Sequence, residues 1–156
     1  MAIAITLQEY LNNSGVDYEV LPHSPTSTSR STARAANIPA DQFVKPVVLE
    51  DEDGYLMVLI PSTHHLELGR VSRQMNRRLG LATEKELTQL FSDCDVGAIP
   101  PIGAAYGMNV LIDDDLTRLS DVYFEAGDHT DVVHLKGKDF QKMMGTAVHG
   151  KFSSPM

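Results

Sequence analysis

Cysteine is nearly absent: Cys94 is the one thiol in 156 residues, which excludes an internal disulfide framework and fits a reducing compartment such as the cytoplasm. Long apolar runs are missing too. The best, "YLMVLI" at 55–60, is six residues, against the roughly twenty that cross a bilayer, so no membrane partner is expected. The segment "MAIAITLQEYL" has no basic stretch leading into an apolar core, so no signal peptide is expected. Positive charge is scarce, with 13 Lys and Arg against 21 Asp and Glu and a formal net charge of −8. That argues against gripping a long nucleic acid by its phosphates but leaves contact with one end of an RNA open. The basic residues form three short groups, Arg30 and Arg34, Arg70 to Arg78, and Lys136 to Lys142, which read first as solvated helix faces.

Recognisable catalytic signatures are also missing. His64 and His65 are adjacent, and His129 and His134 lack zinc-site spacing, so no metal is expected. The glycines at 97, 103 and 107 are not followed by Gly-Lys-Ser/Thr, so neither a P-loop nor a dinucleotide fingerprint is present and no cofactor is expected. No neighbouring feature activates Cys94, which reads as a buried structural thiol.

The pattern that remains is mixed α and β. Thr6-Leu-Gln-Glu9 has the form of a capping box opening a helix that stops at Gly15. "DYEVLPH" (17–23) reads as a strand, 24–31 as a polar loop and 32–37 as a short helix. Two apolar runs, Phe43 to Glu50 and Tyr55 to Ile60, flank Asp51-Glu-Asp-Gly54 as a β-hairpin. Helical spacing follows over 66–79, and a second capping box at Thr83–Glu86 opens a helix to about Phe91. Strands are expected over 108–113, 120–127 and 130–137, then a helix from Gly137 to Met144 and a loosely held tail from Gly145. The chain thus reads as one α+β domain over 1–150, a mixed, largely antiparallel sheet with surrounding helices, and a flexible tail at 151–156.

Two features stand out. In Phe43-Val-Lys-Pro-Val-Val-Leu49 the side chains alternate, so Lys45 shares a face with Val47 and Leu49 while Val44, Pro46 and Val48 fill the other. Both faces are apolar, so the lysine must reach an opening or a partner; an edge-strand lysine that snorkels to water is the plain alternative. The second is "DVGAIPPIGAAYG" (95–107). Its prolines stiffen the backbone, and Gly97 and Gly103 are free to take positive φ and uncover peptide N–H groups, as in an oxyanion hole; a tight crossover packed under a sheet is the other reading.

Together the lysine strand within "STARAANIPADQFVKPVVLEDEDGYLMVLIP" (31–61), the loop within "LGLATEKELTQLFSDCDVGAIPPIG" (79–103) and the closing "VYFEAGDHTDVVHLKGKDF" (122–140) identify a resemblance over nearly the whole chain. The sequence resembles the YbaK/prolyl-tRNA-synthetase-associated domain family, whose members remove wrongly attached amino acids from tRNA. The resemblance implies a YbaK-like fold and a trans-editing aminoacyl-tRNA deacylase. It implies that Lys45 is the catalytic cation and that Gly97, Ala98, Ile99, Pro100, Pro101, Gly103 and His129 shape the aminoacyl pocket. The implied partners are the acceptor end of a mischarged tRNA and an aminoacyl-tRNA synthetase. A non-catalytic module binding a small ligand or a protein in the same pocket is the alternative. Two departures bear on specificity: Pro46 follows the lysine where better-known editing members carry a polar residue, and Pro100-Pro101 stands where many have a single proline.

Overall fold

The computed structural model describes residues 3–24, 29–95 and 97–156, the side chains of Ser29 and Arg30 excepted. Its elements run α1 (Ile5–Ser14), β1 (Tyr18–Pro22), α2 (Ser29–Ala35), β2 (Val44–Asp51), β3 (Gly54–Pro61), β4 (His64–Leu66), α3 (Leu68–Met75), β5 (Gly80–Leu81) and α4 (Glu84–Leu90). They continue with β6 (Asn109–Asp113), β7 (Asp121–Glu125), β8 (Asp131–Lys136), α5 (Gly137–Met144), β9 (Val148–Gly150) and β10 (Ser153–Pro155). The α+β class is the one expected.

The β2–β3 hairpin lies inside a five-stranded sheet of order β5-β2-β3-β6-β9, antiparallel at β5-β2-β3 and parallel at β3-β6-β9. An antiparallel sheet β1-β8-β7 stands beside it, and a bridge from Phe43 to Tyr123 ties β2 to β7. Period-two alternation assigns the strand residues to faces. Val44, Val48, Met57, Leu59 and Ile112 meet Val122, Phe124 and Val133 between the sheets, sealed by Leu7 and Leu11 of α1 and Phe140 of α5. The opposite face of the larger sheet, Leu49, Leu56, Val58, Ile60 and Leu111, packs against Val71 of α3 and Phe152. The hairpin is therefore covered on both sides, as its uninterrupted apolar runs require.

Local chemistry explains most boundaries. At α4, Thr83 accepts from the Glu86 N–H while the Glu86 carboxylate accepts from the Thr83 N–H, the reciprocal cap its sequence predicts. At α1 that pattern does not form. The N-cap is Ala4, with no side-chain cap, and the Thr6 N–H instead donates to Asp93 at 2.9 Å, so a distant carboxylate takes the role the local side chain was expected to fill. The stretch expected as one helix over 66–79 divides into β4 and α3, which ends at Asn76 in the left-handed region. Ser29–Ser31, expected in a loop, begins α2; residues 25–28 of that loop lie outside the described residues. The apolar strand residues Val48, Leu49, Val58, Leu59, Val122, Val132 and Leu135 are buried, while Val110 is half-buried at the β6 rim.

The tail differs most from expectation. β9 adds to β6 and β10 to β4, and Phe152 is fully buried, a burial that stabilises by roughly 2 kcal/mol.

Candidate functional site

Lys45 lies where alternation puts it, on the β2 face that also carries Val47 and Leu49, opposite Ile60 of β3. It is half-buried, and its ammonium donates to the His64 carbonyl oxygen at 3.0 Å. That carbonyl comes within reach because β3 ends at Pro61 and the chain turns back through Ser62, whose N–H donates to the Phe43 carbonyl at 2.8 Å. A cation on an otherwise apolar strand face is thus met by a backbone acceptor, which limits its desolvation cost.

The proline loop is anchored at Asp95 and Ala98. The Asp95 N–H donates to the Gly127 carbonyl at 2.7 Å and the Gly127 N–H to the Ala98 carbonyl at 2.9 Å, while the Ala4 N–H reaches the Ala126 carbonyl at 2.9 Å. Three distant segments therefore meet at one point. Gly127 has φ +100°, and a Cβ there would lie 2.6 Å from that of Ala4, so this junction requires glycine. Gly97 is exposed at φ 84°; Ala98, Ile99, Pro100 and Pro101 are buried. Gly103 has no positive φ and opens a 3-10 turn, where a Cβ would stand 2.8 Å from Val110 Cγ2. Close packing against β6 accounts for it.

The turn joined to this loop carries the remaining groups. His129 is half-buried, and its Nδ1 is buried without a hydrogen-bond partner. Asp128 accepts from the N–H groups of Thr130 (3.1 Å) and Asp131 (2.8 Å) through one oxygen, while its other oxygen is buried and unpartnered. Glu125 was not anticipated. It is 2 % exposed, and among the described residues neither oxygen has a partner at hydrogen-bond distance. Burial, opposed by the Thr32 side chain and reinforced by the charge of Asp128, drives its carboxyl up to about 7. The signal that singled out Lys45, a charge inside an apolar strand, was present in "VYFEA" as well.

The structure therefore joins residues 97–101 to the turn bearing His129. Lys45 belongs to the adjoining strand: Val44 shares a core with Ile99 and Ile102, and alternation assigns Lys45 to the other face of β2. Among the described residues no hydrogen bond joins Lys45 to 97–103. Burial, with the neighbouring Asp93 carboxylate adding to it, pushes the Cys94 thiol up to about 12, so it is held as a thiol against Tyr106 Oη at 3.2 Å. That environment suits packing and not nucleophilic attack.

Comparison with known proteins bears on this arrangement. A search of curated proteins finds no match. Among solved structures, the chain is similar to a candidate trans-editing enzyme for prolyl-tRNA synthetase, with TM-score 0.82 and 25 % identity over 97 % of this chain and 96 % of that one. It is similar to a scaffold protein used for epitope backbone grafting, with TM-score 0.82 and 25 % identity over 97 % of both chains. A hypothetical protein shares the fold at TM-score 0.85 and 21 % identity, over 96 % of this chain and 99 % of its own. The model of the aminoacyl-tRNA editing domain matches residues 23–143, a span that includes the lysine strand, the proline loop and the His129 turn, and the chain belongs to that family.

Proposed function

We propose that the protein is a trans-editing hydrolase that deacylates mischarged aminoacyl-tRNA. The observation that carries this reading, within the family, is the Lys45 ammonium held at 3.0 Å by a backbone carbonyl on an apolar strand face. An aminoacyl-tRNA is an activated ester, so hydrolysis needs a positioned water and stabilisation of the tetrahedral oxyanion more than a strong nucleophile. Water adds to the carbonyl carbon, the bond to the terminal ribose oxygen breaks, and that oxygen takes up a proton. The products are a free amino acid and an uncharged tRNA.

Lys45 supplies positive charge to the terminal phosphate or to the carbonyl side. Gly97 to Pro101, with Gly103 behind them and His129 beside them, shape the pocket, and their small apolar character favours a small amino acid such as alanine. Recognition is confined to the acceptor end, consistent with a net charge of −8, and a synthetase is the partner expected to hand over such a tRNA in the cytoplasm. Among the described residues no helix is long and apolar enough to cross a membrane.

The test is a panel of mischarged tRNAs with loss of the aminoacyl ester as the readout. Wild type should deacylate at least one, Lys45→Ala should lose activity by roughly 100-fold or more with its melting midpoint nearly unchanged, and Cys94→Ala should remain active. Full activity in Lys45→Ala would remove the central residue from the mechanism. A wild type that binds the acceptor end without turnover would establish the binding module instead.

A further inference from the structure

The residue whose carbonyl receives Lys45 is tied through its side chain to groups far along the chain. Asp113, at the end of β6, is fully buried, Ser153 is 1 % exposed and His64 is 9 % exposed. The Ser153 hydroxyl donates to Asp113 Oδ2 at 2.7 Å, and the same oxygen accepts from the Phe152 N–H at 3.0 Å. Because Ser153 spends its proton on the carboxylate, its oxygen is left to accept from His64 Nδ1–H, 2.8 Å away. The other carboxylate oxygen accepts from the Asp115 N–H at 2.9 Å. Around this chain the backbone closes as well: β10 pairs with β4 at Ser153–Leu66 and Pro155–His64, and the Glu67 N–H donates to the Phe152 carbonyl at 2.7 Å.

A serine between an acid and a histidine has the composition of a hydrolase triad but not its order. Its hydroxyl is engaged at both ends and closed to solvent, so no substrate carbonyl reaches it. Apolar side chains of equal volume would pack this corner at least as well, so the polar chain calls for a purpose; it ends on the imidazole of His64, whose Nδ1 also lies 3.9 Å from Asp115 Oδ2, and His64 is the residue whose carbonyl receives Lys45.

We propose that Asp113, Ser153 and His64 are positioning residues for Lys45: the buried Asp113–Ser153–His64 chain fixes the carbonyl that orients the ammonium, and β10 is thereby part of the site. The proposal rests on the reading of Lys45 as the functional cation.

The experiment follows the Lys45 ε-carbon and its protons by NMR in lysine-labelled protein, assigned with Lys45→Arg, alongside deacylation kinetics. In Ser153→Ala the Lys45 signal should move toward those of the exposed Lys85 and Lys138, and kcat should fall roughly ten- to a hundredfold with KM near wild type. His64→Asn with Ser153 intact, which keeps an N–H close to the Nδ1 position, should preserve both. Ser154→Ala should change neither, because its hydroxyl faces His65 and Glu67. Val71→Ala weakens the same apolar cluster without touching the polar chain, and it should lower the melting midpoint while leaving the Lys45 signal in place. Should Ser153→Ala fail to fold, His64→Phe fills the ring's space without Nδ1 and gives the same readout. An unmoved Lys45 signal in the folded variant, or an equal movement in Val71→Ala, overturns the proposal. A moved signal in a protein whose wild type deacylates nothing sustains the positioning role and removes the hydrolase reading instead.

Discussion

Two strands of this molecule end on a buried carboxylate, and the two acids are treated oppositely. Asp113 closes β6 and is met by a hydroxyl and two backbone N–H groups. Glu125 closes β7, equally hidden, and among the described residues neither of its oxygens has a partner at hydrogen-bond distance. Burial alone therefore says little about a charge. What decides is whether the fold delivers donors to it, since an unmet carboxylate rises toward neutrality while a satisfied one organises its surroundings. The Asp113 end of the molecule leads to Lys45, and the Glu125 end leads to the turn that carries His129.

The contrast is broken most severely at Asp113. Asp113→Ala strands two buried donors and a part-buried one at once and should cost on the order of 4 kcal/mol, seen as a fall of roughly 10 °C in the melting midpoint. Asp113→Asn, which keeps one acceptor oxygen, should cost less than the alanine.

Glu125 should respond in the other direction. Its folded-state value of about 7 lies above the ordinary 4.5, so its contribution is fully present below about pH 4.5 and is lost as pH rises through 7. Glu125→Gln should therefore match wild type near pH 4 and exceed it by about 3 kcal/mol at pH 8. Denaturant midpoints at the two pH values measure this, and a variant destabilised at pH 8 would show that the Glu125 charge is met after all.

The smallest effect is expected at Asp128. Asp128→Asn keeps the acceptor for Thr130 and Asp131 and removes only the charge beside Glu125, so the Glu125 titration should shift downward, with little change in midpoint. The carboxyl carbon of Glu125, followed by NMR against pH, reports it; no shift would mean that desolvation alone sets the Glu125 value.

What the sequence made legible is what neighbours in sequence decide. The β2–β3 hairpin, the reciprocal cap of α4 and the start of α5 at Gly137 each follow from alternation, a turn or a cap within a few residues. The face of Lys45 was legible for the same reason. The carbonyl that receives it was not, because it belongs to His64, 19 positions away, beyond the turn that follows β3. Thr6 shows the same limit in miniature: its local partner Glu9 was visible, and Asp93, which its N–H uses, lies 87 positions away. Gly97 and Gly103 look alike in the loop, yet one serves a positive φ and the other a close approach to Val110, a distinction that only the packed neighbour supplies. The short strands β9 and β10 carry no period of their own, and "HGKFSSP" becomes structure through the partners it finds.

The pairing of β10 with β4 also has a consequence in time. His64 and Ser153 are 89 positions apart, so their contact closes one of the longest loops in the fold, and its closure entropy must be met before any local gain. During synthesis β2, β3 and β4 leave the ribosome well before Ser153 exists, and the hairpin can form while the carbonyl beside Lys45 is still unanchored. The charge-bearing corner is thereby among the last parts to set, and a nascent chain carries the lysine long before it carries the lysine's final geometry.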